Sequence, residues 1–141
     1  MILYEVLRLY PSIPMLNRIV TKDTRLGDII LPAGTRVAIP IIHVQQDSQL
    51  WGEDAKEFNP QRFSEGISKA TKNQGLYVPF GWGPRTCIGQ NFAMLEVKMA
   101  LTLILQNFSI ELSPSYTHSP FAVLTLHPQN GTHIILRKLY N

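Results

Sequence analysis

Residues 80–89, Phe-Gly-Trp-Gly-Pro-Arg-Thr-Cys-Ile-Gly, constrain this chain more than any other stretch. Glycines crowd both sides of the only cysteine, Cys87, so the backbone there is a loop able to fold back on the sulfur. An apolar-periodic segment begins directly after it. Ile88, Phe92, Leu95, Met99 and Leu103 make one stripe, widened by Ala93, Val97, Ala100, Leu101 and Ile104, which predicts a helix over 90–106. A helix apolar over most of its circumference is expected in an interior. Its Met and aromatic stripe reads as core packing.

A thiol acts as nucleophile or metal ligand only as thiolate, which needs nearby positive charge, amide donors or a metal. Arg85 lies two residues before Cys87, and the following helix directs its positive end toward the sulfur. The commoner fate of a lone cysteine is that of a small buried hydrophobe. One thiolate cannot close a tetrahedral zinc site, but it can be the single axial ligand of a haem iron, whose in-plane ligands come from the porphyrin.

The segment fits F-x-x-G-x-R-x-C-x-G at Phe80, Gly83, Arg85, Cys87 and Gly89, and Ala93 continues it. On these residues the chain resembles the cytochromes P450, the haem-thiolate monooxygenases. The resemblance implies haem b (iron protoporphyrin IX) as cofactor and Cys87 as the axial iron ligand. It places Phe80, Gly81, Arg85, Gly89 and Ala93 around the group, with Phe80 shielding the sulfur and helping to set the iron's potential. Arg18 and Arg85 would hold haem propionates, a role that suits a permanently charged, bidentate guanidinium. Without that role Arg18 is a solvated strand residue.

Glu5 and Arg8 are three apart and share a helix face. In Phe58-Asn59-Pro60-Gln61-Arg62-Phe63 the resemblance supplies their partner, Arg62, completing a triad that locks the meander beneath the haem. This chain has Gln61 where the family's P-E-R-F pattern has Glu. It also has Gln45-Gln46-Asp47 where many members place a His shortly before an Asp. His43, His118, His127 and His133 show no ligand spacing and read as structural or surface residues.

The fold class expected is α+β, the C-terminal part of the P450 fold, forming a single partial domain over 1–141. Residues 1–10 read as a helix ended by Pro11-Ser12-Ile13-Pro14. No capping residue or acidic first turn precedes it, so the chain reads as the C-terminal part of a longer protein. Residues 25–30 and 36–42, flanking Leu31-Pro32-Ala33-Gly34, read as a hairpin. Asp47 or Ser48 is placed to cap a helical turn before Trp51-Gly52, and 53–79 read as an irregular packed meander. Residues 108–112 alternate like a strand. Residues 121–126 and 132–137 read as a second hairpin around Asn130-Gly131.

With 45% hydrophobic and 16% charged residues, the chain is globular and not disordered. A net charge of +3 without a basic block or RNA-binding aromatic motif argues against nucleic acid. One cysteine excludes an internal disulfide and fits a reducing compartment. No apolar run approaches the roughly 20 residues of a membrane span, and no signal peptide is visible. The Asn107 and Asn130 sequons are therefore read as unmodified.

The resemblance implies NADPH electrons arriving through a flavin-containing reductase, O2, and a small apolar substrate. Lys69, Lys72 and Lys98 would steer an acidic partner, or simply form a solvated basic face. The parent would sit on the cytosolic face of the endoplasmic reticulum, held by an N-terminal anchor outside this segment. The haem-crossing helix with its acid–threonine pair is also outside it. No catalytic residue beyond the haem ligand is expected here, and only two pocket pieces, 13–17 and 116–121. The wording is most similar to plant members related to secologanin synthase, which points to terpenoid-type substrates. The competing reading is a truncated, non-catalytic fragment, inactive alone or acting only by interaction.

Overall fold

The computed structural model describes residues 1–71 and 73–140. It divides into two compact units, Met1–Gly81 and Trp82–Asn141. The first opens with helix α1 (Ile2–Leu9), whose buried face carries Glu5, Arg8 and Leu9. Strands β1 (Leu16–Ile19), β2 (Thr24–Leu26), β3 (Ile29–Leu31) and β4 (Arg36–Ile39) follow, then helices α2 (Ile41–Gln45) and α3 (Ser48–Trp51). Asp47 caps α3, accepting the Gln49 N–H at 2.7 Å, as its position suggested.

The strand pairing corrects the expected first hairpin. β2 pairs with β3 through Gly27-Asp28, in register Leu26↔Ile29, while β4 pairs with β1, Leu16↔Ile39 to Ile19↔Arg36. Gly27 has φ of 59°, the left-handed geometry a two-residue hairpin loop needs at its first position. Pro32-Ala33-Gly34 does turn, with Thr35 N–H on the Pro32 carbonyl at 3.1 Å, but it hands the chain to a partner laid down earlier. Ile41 and Ile42, expected in the second strand, belong to α2. Ile41 and Gln45 are four apart, so the helix buries both on one face, overriding β-propensity.

The meander carries a 3-10 turn over Pro60–Phe63, helix α4 (Ile67–Ala70) and a further 3-10 turn over Gln74–Leu76. Between these elements lies the core of the first unit: Trp51, Ala55, Phe63 and Tyr77, with Tyr4 packed against them. Its aromatic rings meet at tilted and edge-on angles, Phe63 and Tyr77 with centroids 5.2 Å apart and Tyr4 and Phe63 5.6 Å apart.

The second unit starts with a 3-10 turn, Gly83–Arg85, then α5 (Gln90–Asn107), β5 (Phe108–Leu112), β6 (Pro120–Ala122), β7 (Leu126–Pro128) and β8 (Ile134–Lys138). Helix α5 and strand β5 fall where the sequence placed them. The C-terminal pairing differs. β6 pairs with β7 through Val123–Thr125, and β8 pairs with β5, Phe108↔Lys138 to Leu112↔Ile134. Asn130-Gly131 turns the chain, with Gly131 at φ of 72°, but its flanks do not pair with each other.

Helix α5 also departs from the expected interior position: none of its residues is buried. A helix apolar on most sides needs neighbours on most sides, and its unit otherwise supplies two two-stranded sheets. Among the described residues no helix is long and apolar enough to cross a membrane.

Candidate functional site

The sequence-predicted residues lie in two places. In the first unit, Glu5 and Arg8 are both 0% exposed and form a bidentate pair: Arg8 Nε donates to Oε2 at 2.8 Å and Nη2 to Oε1 at 2.7 Å. Burying two charges is costly unless their remaining donors and lone pairs are satisfied. They are satisfied here. Arg8 Nη1 donates to the carbonyls of Gln45, at 2.7 Å, and of Ala55, while Nη2 donates to the Glu57 carbonyl at 3.1 Å. All five guanidinium N–H groups thus have acceptors. The guanidinium also lies 5.2 Å from the Trp51 ring centroid. Glu5 Oε1 additionally accepts the Asn59 N–H at 2.9 Å, pinning the start of the Pro60 turn to α1.

Arg62 joins this network at longer range. Its Nε is 3.7 Å from Glu5 Oε1, beyond hydrogen-bond distance, and that Nε is a buried donor without a partner among the described residues. The short ion pair of Arg62 is with Asp54, 2.7 Å from Nη2 to Oδ2. Its other contacts are the Trp51 carbonyl at 3.0 Å and the Asp54 carbonyl at 3.1 Å. The Arg62 hydrogen bond, then that from Asn59, holds the Asp54 carboxyl below its usual range. Asp54 was missed in the sequence, where an acid near an Arg in a loop carries no spacing signal.

Gln45 was missed as well. Read there only as the absence of a His, it is 0% exposed and makes three side-chain hydrogen bonds, to Leu7, Arg8 and Val78. Gln46 adds a bond to the Leu9 carbonyl at 2.8 Å, so the two glutamines cover the open carbonyls at the end of α1.

Arg18 lies on β1, exposed, and donates to the Asn17 carbonyl at 2.9 Å. Phe80 is half-buried behind buried Val78 and Pro79. Gly81, at φ of 79°, donates its N–H to the Val78 carbonyl at 2.9 Å and ends the first unit.

In the second unit, Arg85 closes the 3-10 turn and is exposed, as is Cys87. Gly89 is the N-cap of α5, and its carbonyl accepts the Ala93 N–H at 2.9 Å. Gly89 has φ of −84°, so no backbone strain requires glycine there. A Cβ added at Gly89 would instead meet the Cys87 sulfur at 3.8 Å, with no other contact within 4 Å. Gly89 and Ala93 are four apart, so the first turn of α5 carries two small residues on one face.

Among the described residues no group of three or more His, Cys, Asp or Glu is placed to hold a metal ion. His43, His118, His127 and His133 are all exposed. Tyr116 Oη and His118 Nδ1 share a hydrogen bond at 2.8 Å in one of the expected pocket pieces. Lys69 and Lys98 are exposed, on α4 and α5, and Lys72 lies outside the described residues.

Comparison with known proteins carries these observations to a family. The pattern of the family described as cytochrome P450 matches residues 1–135. Cytochrome P450 72A397 of Kalopanax septemlobus is 65% identical over 139 residues, covering 99% of this chain and 27% of the relative. The 11-oxo-beta-amyrin 30-oxidase of Medicago truncatula is 62% identical, covering 99% of this chain and 26% of that protein. Retinoic acid bound cyanobacterial CYP120A1 superposes with a TM-score of 0.85 at 32% identity, covering 98% of this chain and 32% of that one. The chain thus spans about a quarter of the length of the curated relatives it matches. Across that span it belongs to the cytochrome P450 family.

Proposed function

We propose that residues 1–141 are the haem-binding C-terminal portion of a plant cytochrome P450 monooxygenase, with Cys87 as the side chain that would ligate the haem iron. The observation that carries this is the setting of the sulfur. It is exposed, it lies two residues before Gly89, the N-cap of α5, and a Cβ at Gly89 would lie 3.8 Å from it, at ordinary van der Waals distance. The donor set fits the group. A single thiolate, with no second cluster of ligating side chains among the described residues, can hold a metal whose other ligands come with a cofactor.

In this reading Gly89 and Ala93 leave room for a flat ring system beside the sulfur. Arg85 and Arg18 would hold propionates, and Phe80 would shield the sulfur. The Glu5–Arg8 pair, with Arg62 and Asp54, keeps the meander fixed as a scaffold for these groups. When bound, the haem supplies activation of O2, using electrons from NADPH passed on by a flavin-containing reductase. Lys69 and Lys98 would present positive charge to that reductase.

The substrate class inferred is a small apolar terpenoid, in keeping with relatives named as beta-amyrin oxidases. Residues 13–17 and 116–121 would contribute to its pocket. The parent would lie on the cytosolic face of the endoplasmic reticulum, anchored by a segment outside this span. Both units would then belong to one haem-binding domain.

The test is spectroscopic. The reduced carbon monoxide complex of the full-length parent should absorb at the red-shifted thiolate position, and Cys87→His should abolish that band. An unchanged band in the variant overturns the assignment. A second reading, that residues 1–141 alone are not catalytic, is favoured by the exposure of Phe92, Leu95, Met99 and Leu103 along α5. Product formation by the isolated polypeptide supplied with haem and reductase would overturn that reading.

A further inference from the structure

Helices α3 and α4, both in the first unit, line a cavity of about 470 Å³ that contains no residue of the 80–89 motif. That volume falls in the range of small-molecule sites, roughly 300–1,000 Å³. Buried Trp51, with half-buried Leu50 and Ala70, gives its wall an apolar part. Ser48 and Gln49 from α3, with Ser68 and Lys69 from α4, give it a polar part, and all four are exposed.

The fold uses the polar groups around these four and leaves the four themselves unused. Asp47 accepts the Gln49 N–H at 2.7 Å, Trp51 Nε1 donates to the Val44 carbonyl at 3.1 Å, and Thr71 Oγ1 bonds to Asn73. The side chains of Ser48, Gln49, Ser68 and Lys69 make no hydrogen bond or ion pair among the described residues. No carboxylate lines the cavity. Of the acids nearest in sequence, Asp47 is held by the Gln49 amide, Asp54 pairs with Arg62 at 2.7 Å, and Glu53 lies outside the wall. One cation without a counter-ion therefore stands beside hydroxyl and amide donors supplied by two helices.

A carboxylate presents two oxygens in one plane. A phosphate monoester presents three acceptor oxygens and close to two charges, which suits donors arriving from different sides. Lysine meets phosphate as a compact point charge, and the serine hydroxyls rotate to suit the acceptor. Inorganic phosphate would leave the apolar part of the wall unused. We propose that the α3–α4 cavity binds a small phosphate monoester, with its phosphoryl oxygens on Lys69, Ser48, Ser68 and Gln49 and its organic body against Leu50 and Ala70. The site is independent of the haem reading: it lies within one unit and requires neither Cys87 nor a bound group.

The test uses the full-length, haem-loaded protein, with phenyl phosphate, inorganic phosphate and benzoate as probes in equilibrium dialysis at fixed ionic strength. Hydrogen exchange in peptides spanning 48–52 and 68–71 locates the bound probe, since phenyl phosphate held elsewhere leaves them unprotected. Phenyl phosphate should protect both segments and bind more tightly than the other two probes. Lys69→Gln should weaken it about fivefold, the size of one partly exposed ion pair. Ser48→Ala and Ser68→Ala should each weaken it about threefold. Lys56→Gln removes the same charge from an exposed residue outside the wall and should leave binding unchanged. Absence of protection at either segment overturns the proposal. So does an equal loss in Lys56→Gln, which marks general charge attraction. Benzoate binding as tightly as phenyl phosphate overturns the phosphoryl assignment, and inorganic phosphate doing so overturns the organic body. If no probe binds and Lys69→Gln instead slows reduction by the reductase, Lys69 answers to that partner and the proposal falls.

Discussion

Residues 1–81 bury Leu9, Ile41, Trp51, Ala55, Phe63, Tyr77 and Val78, together with the charged Glu5 and Arg8, whereas no described residue of 82–140 is buried. Yet the second unit is rich in apolar side chains: Phe92, Leu95, Met99, Leu103 and Leu105 stand exposed along one helix. The contrast separates two properties that sequence patterning runs together. Apolar periodicity states what a face requires, and only neighbouring chain decides whether it is met. The first unit goes further and buries an ion pair, because carbonyls of Gln45, Ala55 and Glu57 converge on Arg8 from three segments. The second unit's clearest ion pair, Arg137 with Glu111 at 3.2 Å, is exposed on both sides and contributes little.

The largest effect expected lies at that buried pair. Arg8→Ala leaves Glu5 buried with the Asn59 N–H at 2.9 Å and the Arg62 Nε at 3.7 Å. Stripping one partner from a buried ion pair costs about 3–5 kcal/mol. Urea denaturation of the full-length protein, read alongside its haem content, should show a loss of this size. A double-mutant cycle of Arg8 with Glu5 should give strong coupling, and a cycle of Arg62 with Asp54 should exceed one of Arg62 with Glu5. Equal coupling of Arg62 to both acids would contradict the distances. A small loss in Arg8→Ala would erase the distinction between the two units.

How much of this was legible in the sequence follows the range of the interactions. Helices α1 and α5, strand β5 and the Asp47 cap are set by residues within one or two turns, and they fall where periodicity and capping placed them. Both expected hairpins went astray for one reason. Pro32-Ala33-Gly34 and Asn130-Gly131 are strong turn signals, but a turn signal does not name the partner strand. β4 returns to β1 and β8 to β5, pairings made across intervening elements. The site divides in the same way. Glu5 and Arg8 share a helix face by spacing, and the motif of residues 80–89 is contiguous. Asp54 and Gln45 act only through contacts made after folding, so neither composition nor spacing marks them. Gln45 replaces a residue type the family pattern led one to seek, and its three bonds were invisible until α1, α2 and Val78 met.

An intermediate effect is expected inside the same core. Tyr77 donates its hydroxyl to the Tyr4 carbonyl at 3.1 Å, and burial, followed by the charge of neighbouring Tyr4 and Glu5, pushes its phenol well above the ordinary value. Tyr77→Phe keeps the ring and loses the bond, a cost of about 0.5–1.5 kcal/mol. The sign with pH follows from the direction of the shift. An unfolded chain releases the phenol proton near pH 10 while the folded chain still holds it. The contribution is therefore complete below about pH 10 and declines as pH rises beyond it. Denaturation midpoints between pH 8 and 11 should fall more steeply for the unsubstituted protein than for Tyr77→Phe. Parallel curves would show that the phenol is not desolvated, weakening the claim that the first unit has a true interior.

The smallest effect is expected on α5, and it tests the other side of the comparison. In the polypeptide of residues 1–141, Leu95 and Met99 are each 66% exposed, so replacing both with Lys removes no buried contact. Such surface changes are usually worth within about 0.5 kcal/mol, and amide exchange across α1 should stay unchanged. What should fall is binding of an apolar dye and light scattering on concentration, since exposed apolar patches drive association. The same pair of substitutions in the full-length protein should behave in the opposite way. If α5 is covered there, each Lys needs burial without a partner, and stability and haem content should both drop. A near-silent result in the full-length protein would mean that the helix is a solvent-facing element throughout, and that its apolar circumference answers to something other than a core.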